Sequence, residues 1–159
     1  MNYSEATAPF GTIGLRWDAN RLLRLELAPS PTPAAVRKPA PAWISAQLDA
    51  YFADPSHRIA CDTDIDGTRF QRRVWDCIAE IPSGNTMTYG SIADELGTSA
   101  RAVGNACRAN PVPLRVPCHR VVAATGLGGF AGDRSGRLVQ IKRWLLGHES
   151  ACGFNGRAR

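Results

Sequence analysis

The chain has 159 residues, 44% of them hydrophobic, and carries 19 basic and 14 acidic side chains for a formal net charge of +5. That length is enough for one well-cored domain or for two small lobes. No apolar run approaches the roughly 18 residues of a membrane-spanning helix. The opening "MNYSEATAPFGTIG" has no basic segment followed by an apolar one. These features predict a soluble, cytoplasmic protein without a secretion signal or a membrane partner.

Cysteine usage favours reduced thiols over a disulfide framework. The number of cysteines is odd, their spacing is wide, and they form no CxxC pair: Cys61, Cys77, Cys107, Cys118 and Cys152. His57 and Cys61 are four residues apart and could share a metal ion, but no second ligand pair lies nearby at zinc spacing. We therefore expect no metal site and no cofactor.

The first third of the chain predicts a small β-rich lobe. Two apolar stretches, at residues 12–17 and 22–27, flank "DAN", which suits a hairpin turn. The next segment, "PSPTPAAVRKPAPA", has five prolines in fourteen residues and predicts an exposed linker. A helix is predicted over "AWISAQLDAYFAD", with Asp54-Pro55 ending it. Its expected core residues are Trp43, Leu48, Tyr51 and Phe52.

A second helix is predicted over "TRFQRRVWDCIAEI", where "PSGNT" ends it. Its apolar residues fall on one face at i, i+4, i+7, i+8 and i+11. They are Phe70, Val74, Cys77, Ile78 and Ile81. Since Cys77 lies on that face, we expect it to be buried as a small hydrophobe.

The segment "TYGSIADELGTSARAVGNACRANP" predicts two short helices joined by a tight turn. The first begins near Tyr89 and ends at Gly97, which suits a left-handed C-cap. Thr98 or Ser99 then caps a helix over residues 100–109. This helix-turn-helix pattern binds DNA in many proteins and is a plain helical hairpin in others.

The second of these helices carries small side chains on every turn, and Arg101 is the long side chain of its first turn. Small residues would let it lie close to a sugar-phosphate backbone, and an arginine so placed can fill the gap left by an extruded base. Close helix packing and an ordinary surface charge explain the same residues without DNA. Residues 101–143 hold eight basic and one acidic side chain, a net +7, which attracts polyanions or forms a solvated basic face.

"RVPCHRVVAATG" places Cys118 directly before His119 and Arg120. A cysteine is a useful nucleophile only as thiolate, and neighbouring basic groups lower its pKa. The sequence therefore predicts a nucleophile of lowered pKa at Cys118, although a cysteine also lies beside a histidine by chance. Cys107 and Cys152 have no neighbouring base in sequence, so we expect them to be bystanders.

Together, "TYGSIA", "ARAVGNACRANPVPLRVPCHRVV", "GFAG" and "KRWLLGHE" resemble the O6-alkylguanine-DNA alkyltransferase family, also called methylated-DNA–protein-cysteine methyltransferases. The resemblance is close over residues 70–149, about half of the chain, and "PCHRV" preceded by "NPVP" is highly specific. Residues 1–60 match only in layout, as the variable N-terminal lobe of that family.

The resemblance implies a single-turnover alkyl transfer. Cys118 would attack the alkyl carbon on O6 of a guanine flipped out of duplex DNA, which restores guanine and leaves a thioether on the protein. His119 would take the thiol proton through a water, and Glu149 would orient the imidazole. Asn110 would brace the turn that carries Cys118.

The same resemblance implies the DNA contacts and the base pocket. Tyr89 would press on the target phosphate, Arg101 would replace the extruded base, and backbone groups around Val121 and Val122 would form part of the guanine pocket. Further phosphate contacts are expected from Thr98, Ser99 and Arg108. The expected partner is double-stranded DNA containing O6-alkylguanine, with O4-alkylthymine left open. The protein would be a monomer, associated with the nucleoid if its source is bacterial.

Two features depart from the family pattern. Phe130 belongs to the pocket at a position where many members have a tyrosine whose hydroxyl hydrogen-bonds the leaving guanine. That assistance is missing here or supplied elsewhere. "GDRSGRLVQIKRW" is a few residues longer than in some relatives, and its arginines either extend the DNA-binding surface or are merely solvated.

The predicted fold is α/β, or α+β. Residues 1–62 would form an N-terminal lobe with a small sheet, a helix and the proline-rich linker, and residues 63–159 a mainly helical domain for DNA binding and alkyl transfer. The last helix would bury Trp144, Leu145 and Leu146 and bring Glu149 to the site. Two other functions stay open. They are binding of alkylated DNA without transfer, which the presence of Cys118 opposes, and a non-repair role on a small molecule, which Arg101 and the basic segment oppose.

Overall fold

The computed structural model describes residues 1–130 and 136–150. These residues form a mixed fold of helices and small sheets with a helix-turn-helix, and the predicted fold class is confirmed. None of the described helices has the length and hydropathy needed to cross a bilayer.

The described residues divide into two compact units. One contains Met1–Asp66 together with Pro111–Arg115, and the other contains Gly67–Asn110 and the described residues from Val116 onward. The domain boundary at residues 62–63 stays a prediction. Residues 111–115 were expected in the C-terminal domain, yet they group with the first unit, where Leu25 N donates to Pro111 O at 2.9 Å.

The first unit is built on a four-stranded sheet of order β1-β2-β3-β4. Strands β1 (Asn2–Ala8), β2 (Gly11–Asp18) and β3 (Arg21–Glu26) are antiparallel, and β4 (Asp62–Thr63) is parallel to β3. The predicted hairpin is confirmed as β2 and β3, and Ala19 in its turn has a φ of 49°.

Strand β1 was not predicted, because a polar residue interrupts its apolar pattern. Ser4 is fully buried, where it accepts a hydrogen bond from Trp17 Nε1 at 2.9 Å and donates to Pro39 O at 3.2 Å. Lys38 N also donates to Tyr3 O at 2.8 Å. The proline-rich segment contains no α-helix or strand before α1, only a 3-10 turn over Ala34–Val36, and it is hydrogen-bonded to β1.

Helix α1 (Ala42–Ala53) ends directly before Asp54, as predicted. Its buried residues are Ile44, Leu48 and Tyr51. These lie at i, i+4 and i+7, so Trp43 and Phe52 fall beside the stripe and are only half-buried. The prediction that Trp43 and Phe52 belong to the core was wrong.

The second unit contains four helices and a two-stranded parallel sheet within the described residues. Side-chain oxygens of Thr68, Thr88 and Ser99 cap the first three of these helices. The elements are α2 (Arg69–Ala79), β5 (Met87–Thr88), α3 (Tyr89–Leu96), α4 (Ala100–Arg108), β6 (Val121–Val122) and α5 (Arg137–Glu149). The core includes Val74, Ile78, Ile92, Val103, Ile141 and Leu145.

The buried face of helix α2 differs slightly from the predicted one. Trp75 is buried and donates from Nε1 to Ala106 O at 2.8 Å, which ties α2 to α4. Cys77 and Phe70 are only half-buried, and the Cys77 thiol donates to Glu95 Oε2 at 3.5 Å. The prediction of a buried Cys77 was wrong, because the buried stripe of α2 is centred on Val74 and Ile78.

Helix α5 buries polar residues that its sequence pattern did not indicate. Leu145 is in the core as predicted, whereas Trp144 and Leu146 are half-buried. Lys142 and Glu149, at i−3 and i+4 from Leu145, are fully buried on the same face. The buried face of α5 therefore carries one positive and one negative group into the second unit.

Candidate active site

A short sheet flanks the candidate nucleophile. Met87 of β5 pairs with Val121 of β6, and Thr88 pairs with Val122. Helix α3 begins directly after β5, and a 3-10 turn over Cys118–Arg120 directly precedes β6. This two-residue pairing of β5 with β6 brings the start of α3 close to the turn that carries Cys118.

Asn110 fixes the position of the Cys118 thiol. Its Nδ2 donates to Cys118 Sγ and to Val116 O, both at 2.9 Å. Cys118 N also donates to Val116 O at 2.8 Å, and Cys118 is 3% exposed. Asn110 thus hydrogen-bonds to the segment that carries Cys118, and the bracing role that the family resemblance implied stays a prediction.

The thiol is protonated in the free protein. Burial raises the pKa of Cys118 well above its ordinary value and Cys107 adds to this, while Asn110 and Lys142 act in the opposite direction. The expectation of a lowered pKa was wrong, because the Arg120 guanidinium points to Glu149 and to Ile81 O. For this thiol to act as a nucleophile, a base would have to remove its proton.

His119, Glu149 and Arg120 form a buried network. His119 Nε2 lies 2.8 Å from Glu149 Oε2, and both side chains are 1% exposed. Arg120 donates from Nε to Oε1 and from Nη2 to Oε2 of the same carboxylate, each at 2.8 Å. Its Nη1 donates to Ile81 O at 2.7 Å. The last residue of α5 is thus joined to the turn that follows the cysteine.

The network leaves a neutral imidazole with one lone pair unused. Burial lowers the pKa of His119, although Glu149 acts against this. Burial alone would raise the pKa of Glu149, but His119 and the hydrogen bonds from Arg120 hold it well below its usual range. Glu149 therefore accepts from Nε2–H of His119. The other ring nitrogen, His119 Nδ1, is buried without a hydrogen-bond partner among the described residues, so it is available to accept a proton.

Lys142 is a site residue that the sequence reasoning missed. Its Nζ donates to Val121 O at 2.7 Å and to Gly129 O at 2.9 Å. The ammonium also lies 5.8 Å from the ring centroid of Tyr89 and 5.9 Å from that of Phe130. Burial lowers the pKa of Lys142 to about 8. The signal that could have revealed it is a lysine in phase with Leu145 on the apolar face of α5.

Tyr89 and Phe130 lie with Lys142 around the loop that precedes the undescribed residues 131–135. Tyr89 is half-buried and its hydroxyl donates to Gly129 O at 3.3 Å, and burial raises its pKa. Gly128 has a φ of 74°, and a Cβ there would meet Tyr89 at 3.2 Å, so glycine suits this close approach. Phe130 is buried. Of the predicted pocket backbone, Val121 O is already bonded to Lys142.

The predicted DNA-contact residues lie in and beside the helix-turn-helix, whose turn has Gly97 in the left-handed conformation. Arg101, Asn105 and Arg108 are exposed on one side of α4. A Cβ at Gly104, on the same side, would meet nothing within 4 Å. Thr98 is half-buried and Ser99 is exposed. Ser99 Oγ accepts from Ala102 N at 3.1 Å as the N-cap of α4.

The basic segment is less exposed than its composition indicated. Three of its cations make internal contacts: Arg120, Lys142, and Arg115, whose Nε donates to Cys61 O at 3.3 Å. Those exposed on the described surface are Arg101, Arg108, Arg137 and Arg143. Asp133, Arg134 and Cys152 lie outside the described residues.

Comparison with known proteins identifies the family. The protein-family model described as "6-O-methylguanine DNA methyltransferase, DNA binding domain" matches residues 69–151, just over half of the chain. The chain belongs to the 6-O-methylguanine DNA methyltransferase family. The resemblance found in the sequence is confirmed.

Other 6-O-methylguanine DNA methyltransferases align well with this chain. It is 46% identical over 99 residues to the methylated-DNA–protein-cysteine methyltransferase of Mycobacterium leprae, and this alignment spans 60% of either chain. It is 45% identical over 111 residues to that of Methanosarcina acetivorans, spanning 68% of either chain. The crystal structure of Mycobacterium tuberculosis OGT in complex with DNA superposes with a TM-score of 0.78 and 36% identity, covering 95% of this chain and 94% of that one.

Metal binding finds no support in the part of the chain that the structure describes. No group of three or more His, Cys, Asp or Glu side chains there could hold an ion. His57, considered with Cys61 as a ligand, has its Nε2 2.9 Å from Gln47 Oε1.

Proposed function

We propose that this protein repairs DNA by transferring the alkyl group of O6-alkylguanine to its own Cys118. The observation that carries the proposal is the pairing of a buried thiol, held by Asn110 at 2.9 Å, with an adjacent neutral imidazole held by Glu149. The nucleophile thus directly precedes the base in the chain, and the base is hydrogen-bonded to its orienting carboxylate. Family membership and the names of the aligned relatives support the same reaction.

The reaction proceeds by one displacement. Sγ of Cys118 attacks the alkyl carbon, the sulfur–carbon bond forms as the carbon–O6 bond breaks, and the electron pair stays with guanine. The thiol proton passes through a bridging water to His119 Nδ1. Glu149 stabilises the imidazolium that forms, because Nε2–H already donates to its carboxylate. The proton that left the thiol balances the one that the departing guanine anion takes up, so the products are guanine, a thioether and neutral His119. No described group of the site reverses the thioether, so each molecule acts once.

Lys142 supplies the positive charge beside the proposed guanine pocket. Its ammonium lies on the rings of Tyr89 and Phe130 and favours the thiolate of Cys118 over the thiol. Phe130 has no hydroxyl to give to the departing guanine. The buried positive charge of Lys142 therefore stabilises the negative charge that moves from sulfur to guanine during the displacement.

The DNA partner is a duplex carrying the alkylated base, bound on the exposed side of α4. Arg101 enters the stack in place of the extruded base, and Gly104 leaves room for close approach of the backbone. Arg108 and the Thr98–Ser99 turn contact phosphates, which positions the protein without reading sequence. The protein acts as a monomer in the cytoplasm, in keeping with its free thiols at Cys61, Cys77, Cys107 and Cys118.

The test is nucleoside analysis of duplex DNA containing one O6-methylguanine after incubation with an equimolar amount of protein. The proposal predicts that the native protein converts O6-methylguanine to guanine. The control variant Cys77→Ser, which removes a thiol outside the site, should do the same. Cys118→Ser converts none. Tight binding by the native protein without conversion would instead support a lesion-binding protein. Equal conversion of the free base and of the duplex would support a small-molecule role.

A further inference from the structure

Arg120 is a charged residue beside the candidate base that the proposed reaction leaves without a role. Its guanidinium donates from Nε to Glu149 Oε1 and from Nη2 to Glu149 Oε2, each at 2.8 Å, and from Nη1 to Ile81 O at 2.7 Å. All three of its nitrogens are thus bonded to partners that are distant in the chain. The sequence predicted an effect of Arg120 on the Cys118 thiol, whereas the structure directs the side chain to Glu149.

Glu149 needs a partner of this kind. It is the last residue of α5, where the partial negative charge of the helix C-terminus disfavours a carboxylate. Its side chain is 1% exposed, so water does not solvate the charge. His119 donates one hydrogen bond and is neutral, so the balancing positive charge in contact with the carboxylate comes from Arg120. Pairing with both oxygens also fixes the plane of the carboxylate, which a compact ammonium does not do.

We propose that Arg120 is a positioning residue for the base: it holds the Glu149 carboxylate ionised and in the plane that keeps Nε2–H of His119 bonded and Nδ1 free. This rests on the proposed function, in which Nδ1 takes the Cys118 proton. The 3-10 turn over Cys118–Arg120 then supplies the nucleophile, the base and the group that orients the partner of the base. Ile81 O anchors the guanidinium at the end of α2, where Ile81 N donates to Ile78 O at 3.0 Å.

The charges around His119 separate this role from a purely structural one. Among the described residues, the charged groups that act on His119 are Glu149 and Lys142 of α5 and Arg120 of its own turn. Burial lowers the pKa of His119, Glu149 raises it, and Arg120 and Lys142 lower it. Removal of the Arg120 charge should therefore raise the pKa of His119, whereas Glu149→Gln should lower it. A loss of packing alone does not predict shifts of opposite sign.

The experiment compares the full-length native protein with Arg120→Met, Arg120→Lys and the control Arg37→Met. Arg37 also combines a glutamate with a carbonyl, since its Nη1 lies 2.9 Å from Glu5 Oε2 and its Nε donates to Thr32 O at 2.9 Å. Each protein is measured across pH by single-turnover transfer from duplex DNA containing O6-methylguanine. The His119 ring is titrated by NMR, with its signal assigned by its absence from His119→Asn.

The two Arg120 variants should differ in their pH profiles. Arg120→Met should transfer about 10–100-fold more slowly, and the midpoints of its pH profile and of its His119 titration should lie above the native ones. Arg120→Lys keeps the charge, so its midpoints should stay near the native ones, while its rate still falls because the ammonium does not fix the carboxylate plane. Arg37→Met should match the native protein in rate and midpoint.

A rescue experiment tests the same role without a side chain. The Arg120 side chain is 12% exposed, whereas that of Glu149 is 1% exposed, so the gap left by Arg120→Ala opens to solvent. Guanidinium ion at a non-denaturing concentration should restore part of the transfer rate of Arg120→Ala. Urea, which has a similar planar shape but no charge, should restore none.

Two results would overturn the proposal. One is a folded Arg120→Met whose His119 titrates at or below the native midpoint, and the other is a native transfer rate in Arg120→Met or in Arg120→Lys. If Arg120→Met does not fold, the lysine variant and the guanidinium rescue decide. If the native protein transfers nothing, the proposed function fails, while the NMR titration of His119 still shows whether Arg120 acts on this ring.

Discussion

Glu149 binds His119 and Arg120 with one carboxylate. Its Oε2 lies 2.8 Å from His119 Nε2 and accepts from Arg120 Nη2 at 2.8 Å, while its Oε1 accepts from Arg120 Nε at 2.8 Å. The carboxylate is 1% exposed. A single residue at the end of α5 therefore orients the proposed base and neutralises a nearly buried guanidinium.

Replacing Glu149 by glutamine is expected to impair both roles. The amide keeps the shape but not the charge, so the imidazolium loses its stabilising partner, and the single-turnover transfer rate should fall by about 100-fold. Arg120 is left without a counter-charge, so the free energy of unfolding should fall by about 3 kcal/mol. Single-turnover transfer assays quenched at a series of times measure the rate, and urea denaturation measures the free energy of unfolding.

A surface ion pair supplies the control. Glu5 Oε2 lies 2.9 Å from Arg37 Nη1, with the Arg37 side chain 40% exposed. Glu5→Gln should lower the free energy of unfolding by less than about 1 kcal/mol, because exposed ion pairs contribute little. Equal losses in Glu149→Gln and Glu5→Gln would contradict the buried network.

The pH dependence of transfer should report His119. Its pKa in the fold is lowered, so the neutral base persists below its ordinary pKa of about 6.5. The transfer rate should therefore hold down to that pH and fall only as the pH drops further. In Glu149→Gln the fall should come at a still lower pH, because the carboxylate raises the pKa of His119. A midpoint above about 6.5 in the native protein would be the contrary result.

Stability should follow pH in the same direction. For His119 and Glu149 the folded pKa is depressed, so the unfolded chain binds more protons. The contribution of His119 is complete above about pH 6.5 and that of Glu149 above about pH 4.3, and each is lost as pH falls through the folded pKa. Urea midpoints measured at intervals between neutral and acid pH should therefore decline, and midpoints that stay level would contradict the depressed pKa values.

Removal of the Lys142 charge should make Cys118 less reactive. Its ammonium lowers the pKa of Cys118, so Lys142→Met should shift the pH profile of iodoacetamide alkylation at Cys118 upward and slow transfer. The neighbouring Arg143 is exposed, which makes Arg143→Met the matched loss of charge. A profile shifted equally by both variants would contradict a local effect of Lys142.

Gly67 and Trp75 should show strong coupling. A Cβ at Gly67 would lie 2.5 Å from Cζ3 and 2.6 Å from Cη2 of Trp75, so Gly67→Ala should cost about 1–3 kcal/mol of stability through overpacking. Trp75→Phe should cost about 1–3 kcal/mol because Ala106 O loses its donor. Phenylalanine lacks both clashing atoms, so Gly67→Ala should lower the free energy of unfolding much less when Trp75→Phe is already present. Additive losses in chemical denaturation would contradict the packing.

Local signals explain which elements the sequence predicted. The hairpin at "DAN", the helix end before Asp54-Pro55 and the turn at Gly97 depend on residues adjacent in the chain. Helix phase was harder, because a pattern of apolar residues on α2 did not distinguish a face containing Cys77 from one containing Trp75. The position of Trp75 depends on its hydrogen bond to α4, which the sequence does not display.

The site shows a similar limit. The family pattern indicated Cys118, His119, Glu149 and Asn110, but neighbouring basic residues gave the wrong direction for the pKa of Cys118. Burial raises the pKa of Cys118, and the Arg120 side chain is bonded to Glu149. Both are properties of the tertiary structure. Lys142 was missed for the same reason, since its partners are carbonyls of β6 and of the pocket loop.

The most direct measurement is the intact mass of the protein after reaction with excess duplex DNA containing O6-methylguanine, followed by peptide mapping. The account predicts one added methyl group per molecule, located on the Cys118 sulfur and absent from Cys118→Ser. A native protein that binds the duplex and gains no mass, or gains the methyl group at another residue, would contradict the proposed transfer to Cys118.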